Sequence, residues 1–152
     1  MIKGNSRCKK AIVINDTRRE VGHLGCSLVM RNIIHICKTK SIEVLFSDES
    51  ISEDFDESDF LSKVEKVDCL ILNGEGTLHY NGGSGLIKKA EMAKDRGKQV
   101  ILINSVWQNN FYAKKYLYIF DRIYVRESFS YKEIIRDGAK NVDVVPDMSF
   151  YS

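Results

Sequence analysis

Six short apolar runs separated by segments of helical period constrain this chain more than any other feature. The runs are AIVIND (Ala11 to Asp16), SIEVLFSD, DCLILNG, QVILINSVW, RIYVRE and NVDVVPD. Between the first two lies HLGCSLVMRNIIHICK, with Cys26, Met30, Ile33 and Cys37 at spacings of four, three and four. That is the stripe of a helix packed on a sheet. The third run carries no charge after Asp68, as a strand covered on both faces requires. Strands alternating with helices predict an α/β fold, a doubly wound, mostly parallel, six-stranded Rossmann-like sheet with helices on both faces. The expected strand order is 2-1-3-4-5-6, in one domain over residues 1–152.

Finer expectations follow from local signals. The acidic stretch DESISEDFDESDF reads as a solvated loop leading to a short helix near Leu61 to Val67. A helix over Gly85 to Arg96 is stopped by Gly97, and NFYAKKYLYIF forms another short helix. SFSYKEIIRDG is a helix with Ser130 and Glu133 as a capping box and Gly138 as its stop. The lysine pairs, Lys88 and Lys89 among them, read as solvated helix faces, and His35 as a structural helix residue.

Several function classes are disfavoured at once. A formal charge of +2 gives no strong field for nucleic acid. No apolar run reaches the roughly 18 residues of a membrane span, and the N-terminus lacks a secretory apolar segment. A cytoplasmic location is expected, with peripheral membrane association left open. The four cysteines form no CxxC pair, so no metal is expected.

In such sheets ligands bind beyond the carboxyl ends of the strands, at the switch in strand order. Polar residues gather at those ends. Asn15, Asp16, His23 and Gly25 follow the first strand, and Asn73, Gly74, Glu75, Gly76, Thr77 and His79 the third. Ser105 and Trp107 follow the fourth, Arg126, Glu127 and Ser128 the fifth, and Asp147 the sixth. The loop LNGEGTLHYNGGSG imitates a dinucleotide loop, but its sixth position is His79 and it follows strand three. Glu75 would also oppose a pyrophosphate. Glycines that bring backbone N–H groups close, beside Glu75, Thr77 and His79, suit a sugar or polyol instead. For Glu75 a loop-bracing role stays open, and for Trp107 a place in the core.

The segments INDTRREVGHLGCSLVMRNI, DCLILNGEGTLH, DRIYVRESFSYKEIIRDG and VDVVPDMSF occur in an order that resembles the polysaccharide pyruvyl transferase family. The matching positions are Asn15, Gly25, Asp68, Gly74, Gly76, Arg126, Glu127, Ser130, Pro146 and Asp147. Glu75 replaces the middle glycine of the family's triplet. The resemblance implies a GT-B-like enzyme of two Rossmann-like halves. It implies transfer of pyruvyl from phosphoenolpyruvate to a sugar hydroxyl of a cell-surface glycan, with no cofactor. This chain would be the N-terminal, acceptor-facing half, its partner half carrying the donor-binding residues. Glu75 and His79 are then the candidate catalytic residues, and the others listed by strand bind substrate. Two alternatives stay open: a nucleotide-sugar glycosyltransferase of GT-B type, and a non-catalytic glycan- or partner-binding domain.

Overall fold

The computed structural model describes residues 9–18 and 24–151. It contains one parallel sheet of β1 (Lys9–Ile14), β2 (Ile42–Asp48), β3 (Cys69–Glu75), β4 (Gln99–Ser105), β5 (Arg122–Val125) and β6 (Val142–Val144). The strand order is 2-1-3-4-5-6, as expected from the sequence. The chain runs from β1 outward to β2, then crosses back to β3 on the other side of β1. That reversal leaves the switch point between β1 and β3.

Strand alternation divides the core in two. Ile12, Ile14, Leu70, Leu72, Val100, Leu102, Ile123 and Val125 point to one face. There they pack under α2 (Glu57–Val64), α3 (Ser84–Asp95), α4 (Ser128–Arg136) and a 3-10 helix, Ala113–Ile119. Ala11, Val13, Cys69 and Ile71 point to the other face, against Val29, Met30, Ile33 and Cys37 of α1 (Leu24–Thr39). Right-handed crossovers produce this division, because only the β1–β2 connection runs leftward. α1 therefore covers only part of its face. Ile101, Ile103, Tyr124 and Val145 line an apolar groove of about 400 Å³ beside it.

The structure corrects several local expectations. α2 begins at Glu57 rather than Leu61, because the Asp56 carboxylate accepts from the Asp59 N–H at 2.9 Å. Part of the acidic stretch thus becomes a helix start, where negative charge is favoured. The residue capping α4 is Glu127, which accepts from Phe129 N and Ser130 N, so Ser130 and Glu133 form no capping box. The Ser130 hydroxyl instead accepts from Trp107 N at 2.7 Å, and Glu133 pairs with Arg136. The short helix expected in NFYAKKYLYIF is present at residues 113–119, as a 3-10 helix. Gly97 and Gly138 do stop their helices, both at positive φ.

Lys89 is not on a solvated face. It is fully buried, with Nζ 2.8 Å from Asp48 Oδ2 and 2.7 Å from the Ser50 carbonyl. Nζ also lies 4.6 Å from the centre of the Phe55 ring. This contact ties α3 to the segment that leaves β2. Gly85 completes the close approach, since a Cβ there would come within 2.3 Å of the Ile51 and Ser52 carbonyl oxygens.

Candidate functional site

Three central strands leave the sheet through left-handed residues. These are Asn15 after β1 (φ 63°), Glu75 at the end of β3 (φ 39°) and Asn104 in β4 (φ 54°). Asparagine enters this region readily; glutamate does so at a cost of about 1–2 kcal/mol. Their side chains form one buried network. Asn15 Nδ2 donates to the Asn73 carbonyl at 2.7 Å and to Thr77 Oγ1 at 3.2 Å. Asn73 Nδ2 donates to the Asn15 carbonyl at 3.2 Å and to Glu75 Oε1 at 3.0 Å. Asn104 Nδ2 lies 3.5 Å from Asn73 Oδ1, and Asn104 Oδ1 accepts from Met148 N at 3.1 Å. Amide side chains can both donate and accept, so one residue type satisfies the backbone carbonyls of Asn15 and Asn73 and the N–H of Met148 after β6.

Glu75 is the charged member of this cluster. Its Oε1 also accepts from the Thr17 hydroxyl at 2.8 Å, while among the described residues Oε2 meets only the Cys26 thiol, at 3.6 Å. One oxygen is thus satisfied by two strong donors and the other faces a weak one. Gly74 allows the strand ends to close up here. A Cβ on it would lie 2.5 Å from Ser105 Cβ.

A recess of about 180 Å³ opens at this point. It is lined by Gly25, Cys26 and Val29 of α1, Glu75 of β3, Arg126 after β5, and Asp147 and Ser149 after β6. Arg126 Nη1 donates to Asp147 Oδ2 at 2.8 Å. Burial pushes the Asp147 carboxyl up, but hydrogen bonds from Ser149 and the charge of Arg126 outweigh it, and the pKa falls below its ordinary value. The recess therefore presents two carboxylates and one guanidinium whose remaining N–H groups stay available.

The sequence-derived candidates separate into groups. Asn15, Asn73, Glu75 and Thr77 share the network. Gly25, Glu75, Arg126 and Asp147 share the recess. The remaining candidates lie outside its lining. Asp16 is buried against Arg18, whose hydrogen bonds overcome the upward push of burial and lower its pKa. Ser105 lies beneath Gly74 and donates to the Val106 carbonyl. Glu127 caps α4, of which Ser128 is the exposed first residue. Trp107 is fully buried and donates Nε1 to Asp137 Oδ2 at 2.9 Å, which makes it a core residue. His79 pairs with Gln108 in an isolated parallel bridge, and its Nδ1 is buried with no partner among the described residues. Gly76 adjoins the His79 ring. His23 lies outside the described residues.

Cys26 follows the first strand at the helix start and also lies on the apolar stripe of α1; it is not among the expected substrate-binding residues, yet it lines the recess. Its position in the first turn, beside the switch point, was the available signal. Asn104, which stands at the end of the fourth strand in the sequence, likewise joins the site without being among the expected binding residues, and Ser149 has no signal in the sequence. Among the described residues no group of three or more His, Cys, Asp or Glu side chains is placed to hold a metal ion.

Residues 23–152 match the family model described as polysaccharide pyruvyl transferase. No curated protein matches the chain. The match spans most of the chain and includes every residue of the recess, so the chain belongs to the polysaccharide pyruvyl transferase family.

Proposed function

We propose that this chain is the acceptor-side half of a GT-B-like enzyme that transfers pyruvyl from phosphoenolpyruvate to hydroxyls of a cell-surface glycan. The observation that carries this reading is the state of Glu75. A glutamate is kept at a left-handed position, with Oε1 fixed by Thr17 and Asn73 and Oε2 directed at the recess lining through Cys26. Such strain clusters at functional sites.

Glu75 Oε2 accepts the proton of the attacking sugar hydroxyl. The hydroxyl oxygen bonds to C2 of the donor, and an acid delivers a proton to the donor's methylene, which becomes the methyl group. Phosphate then leaves C2 with its bonding electrons. A second hydroxyl of the acceptor closes the ketal, and its proton leaves with the phosphate. Arg126 stands beside Glu75 with guanidinium N–H groups for the donor's carboxylate. His79, the other candidate base, is absent from the recess lining, so Glu75 is the favoured base. The remaining donor contacts fall to a second half, and the enzyme is expected to work in the cytoplasm.

The apolar groove beside α1 supports a partner element. Ile101, Ile103 and Tyr124 are only partly covered there, and burying side chains of this kind contributes about 1.5–3 kcal/mol each. The test is Glu75→Gln in the full-length protein, which keeps shape and most hydrogen bonds and removes the base. Acceptor-dependent phosphate release should fall at least about a hundredfold in kcat, the low end of a general-base contribution. Unchanged kcat would reduce Glu75 to a loop brace.

A further inference from the structure

A second depression, of about 490 Å³, lies further along the loop that carries Glu75. Its lining comes from the segments after β2, β3 and β4: Glu53, Asn81, Ser84 at the start of α3, Phe111, Tyr112, and Lys115 in the 3-10 helix. Backbone bonds stitch the last two segments together. Val106 N donates to the Glu75 carbonyl at 2.8 Å, and Tyr80 N to the Gln108 carbonyl at 2.9 Å. Tyr112 N then donates to Asn81 Oδ1 at 2.9 Å. The structure that fixes Glu75 thus continues into this depression. Asn81 lies six positions after Glu75, so their Cα atoms are at most about 22 Å apart.

The chemistry of the lining is specific. Phe111 is 62% exposed on a loop anchored at Asn81 and at Asn110, whose Oδ1 accepts from Ala113 N. An aromatic ring held in water on an anchored loop is a contact platform formed in advance, at little ordering cost. Around it, the Glu53 carboxylate and the Lys115 ammonium have no ion-pair partner among the described residues. Asn81 has committed its oxygen but not its amide N–H groups. Beneath the lining, Asn110, only 1% exposed and adjacent to Phe111 in the chain but not itself a lining residue, has an Nδ2 without a partner among the described residues. Buried donors of this kind are usually met by water or a ligand. A pyranose matches such a set, with an apolar C–H face for the ring and hydroxyls for the mixed donors and acceptors around it. The acid–base pair Glu53 and Lys115 gives no net attraction to a polyphosphate.

We infer that this depression is an outer saccharide subsite, which holds a sugar of the acceptor chain away from the reacting hydroxyl. The inference rests on the acceptor-side reading of the Glu75 recess, and it predicts that a polymer is preferred to a free sugar.

The test is titration calorimetry of the full-length protein with glucose, galactose, mannose and N-acetylglucosamine series, from single sugars to hexasaccharides. In at least one series affinity should rise about tenfold with length, the size of one good aromatic contact. Phe111→Ala should remove that rise, leave single-sugar affinity unchanged, and leave the melting temperature unchanged because the ring is exposed. Lys115→Ala should reduce the rise in part. The subsite is overturned if no series binds, if affinity does not rise with length, or if the rise survives Phe111→Ala. It is also overturned if single sugars weaken equally. Length-dependent binding without phosphate release would refute the pyruvyl reading alone. Phosphate release with no length dependence would refute the subsite alone.

Discussion

Replacing Glu75 by alanine and by glycine separates its backbone strain from its side-chain contacts. Both variants lose the bonds to Thr17, Asn73 and Cys26. Asn73 Nδ2 still has the Asn15 carbonyl, and the Thr17 hydroxyl is free to turn, so neither variant strands a buried donor. The two differ only at φ 39°. Alanine keeps a left-handed penalty of about 1–2 kcal/mol. Glycine removes it but raises the entropy of the unfolded chain by about 0.4–1 kcal/mol. Glycine should therefore be the more stable of the two by about 1 kcal/mol. For a chain of 152 residues that is about 2–4 °C in melting temperature, read by calorimetry or circular dichroism. Both variants should be inactive. An alanine variant as stable as the glycine variant would refute the strain argument, and with it the claim that Glu75 is held there at a cost.

Other outcomes follow from particular contacts. Lys89→Ala breaks a buried ion pair and should cost about 3 kcal/mol in denaturant unfolding, near the low end for such breaks because Asp48 is partly exposed; Lys89→Met, which keeps the stem packed, should cost less. Trp107→Phe removes the bond to Asp137 and should lower stability by about 2 kcal/mol in the same assay, with KM for the acceptor unchanged. Asp16, Asp121, Glu127 and Asp147 all have folded-state pKa values below their ordinary ones. Their contribution is present above the unfolded pKa near 4 and is lost as pH falls through the folded values, so stability should decline below about pH 4. Asp121→Asn should flatten that decline, as measured by melting temperature against pH.

The sheet was legible because its central strands are apolar runs, as strands buried on both faces of a parallel sheet must be, whereas the edge strands β2 and β6 admit Glu43 and Asp143. The switch point followed from the order of the elements, which placed Asn15, Asn73 and Glu75 together before any coordinates. What the sequence concealed was side-chain direction at the ends of elements. Cys26 begins the apolar stripe of α1, yet it is half-buried against Glu75. Trp107 follows β4 among polar residues, yet it turns inward to Asp137. Lys89 sits on a helix with the spacing of a solvated residue, yet its partner Asp48 comes from a distant strand. Pairings across long sequence separations leave no local period to read. The Glu75 departure was visible in the sequence, but the positive φ that makes glycine the natural residue there was not.

The most direct measurement is acceptor-dependent phosphate release from phosphoenolpyruvate by the full-length protein, with NMR detection of the ketal methyl group on the glycan. The account predicts that both signals appear together in the native protein and disappear together in Glu75→Gln. Release of a nucleotide from a sugar nucleotide, with no phosphate release and no ketal, would contradict it.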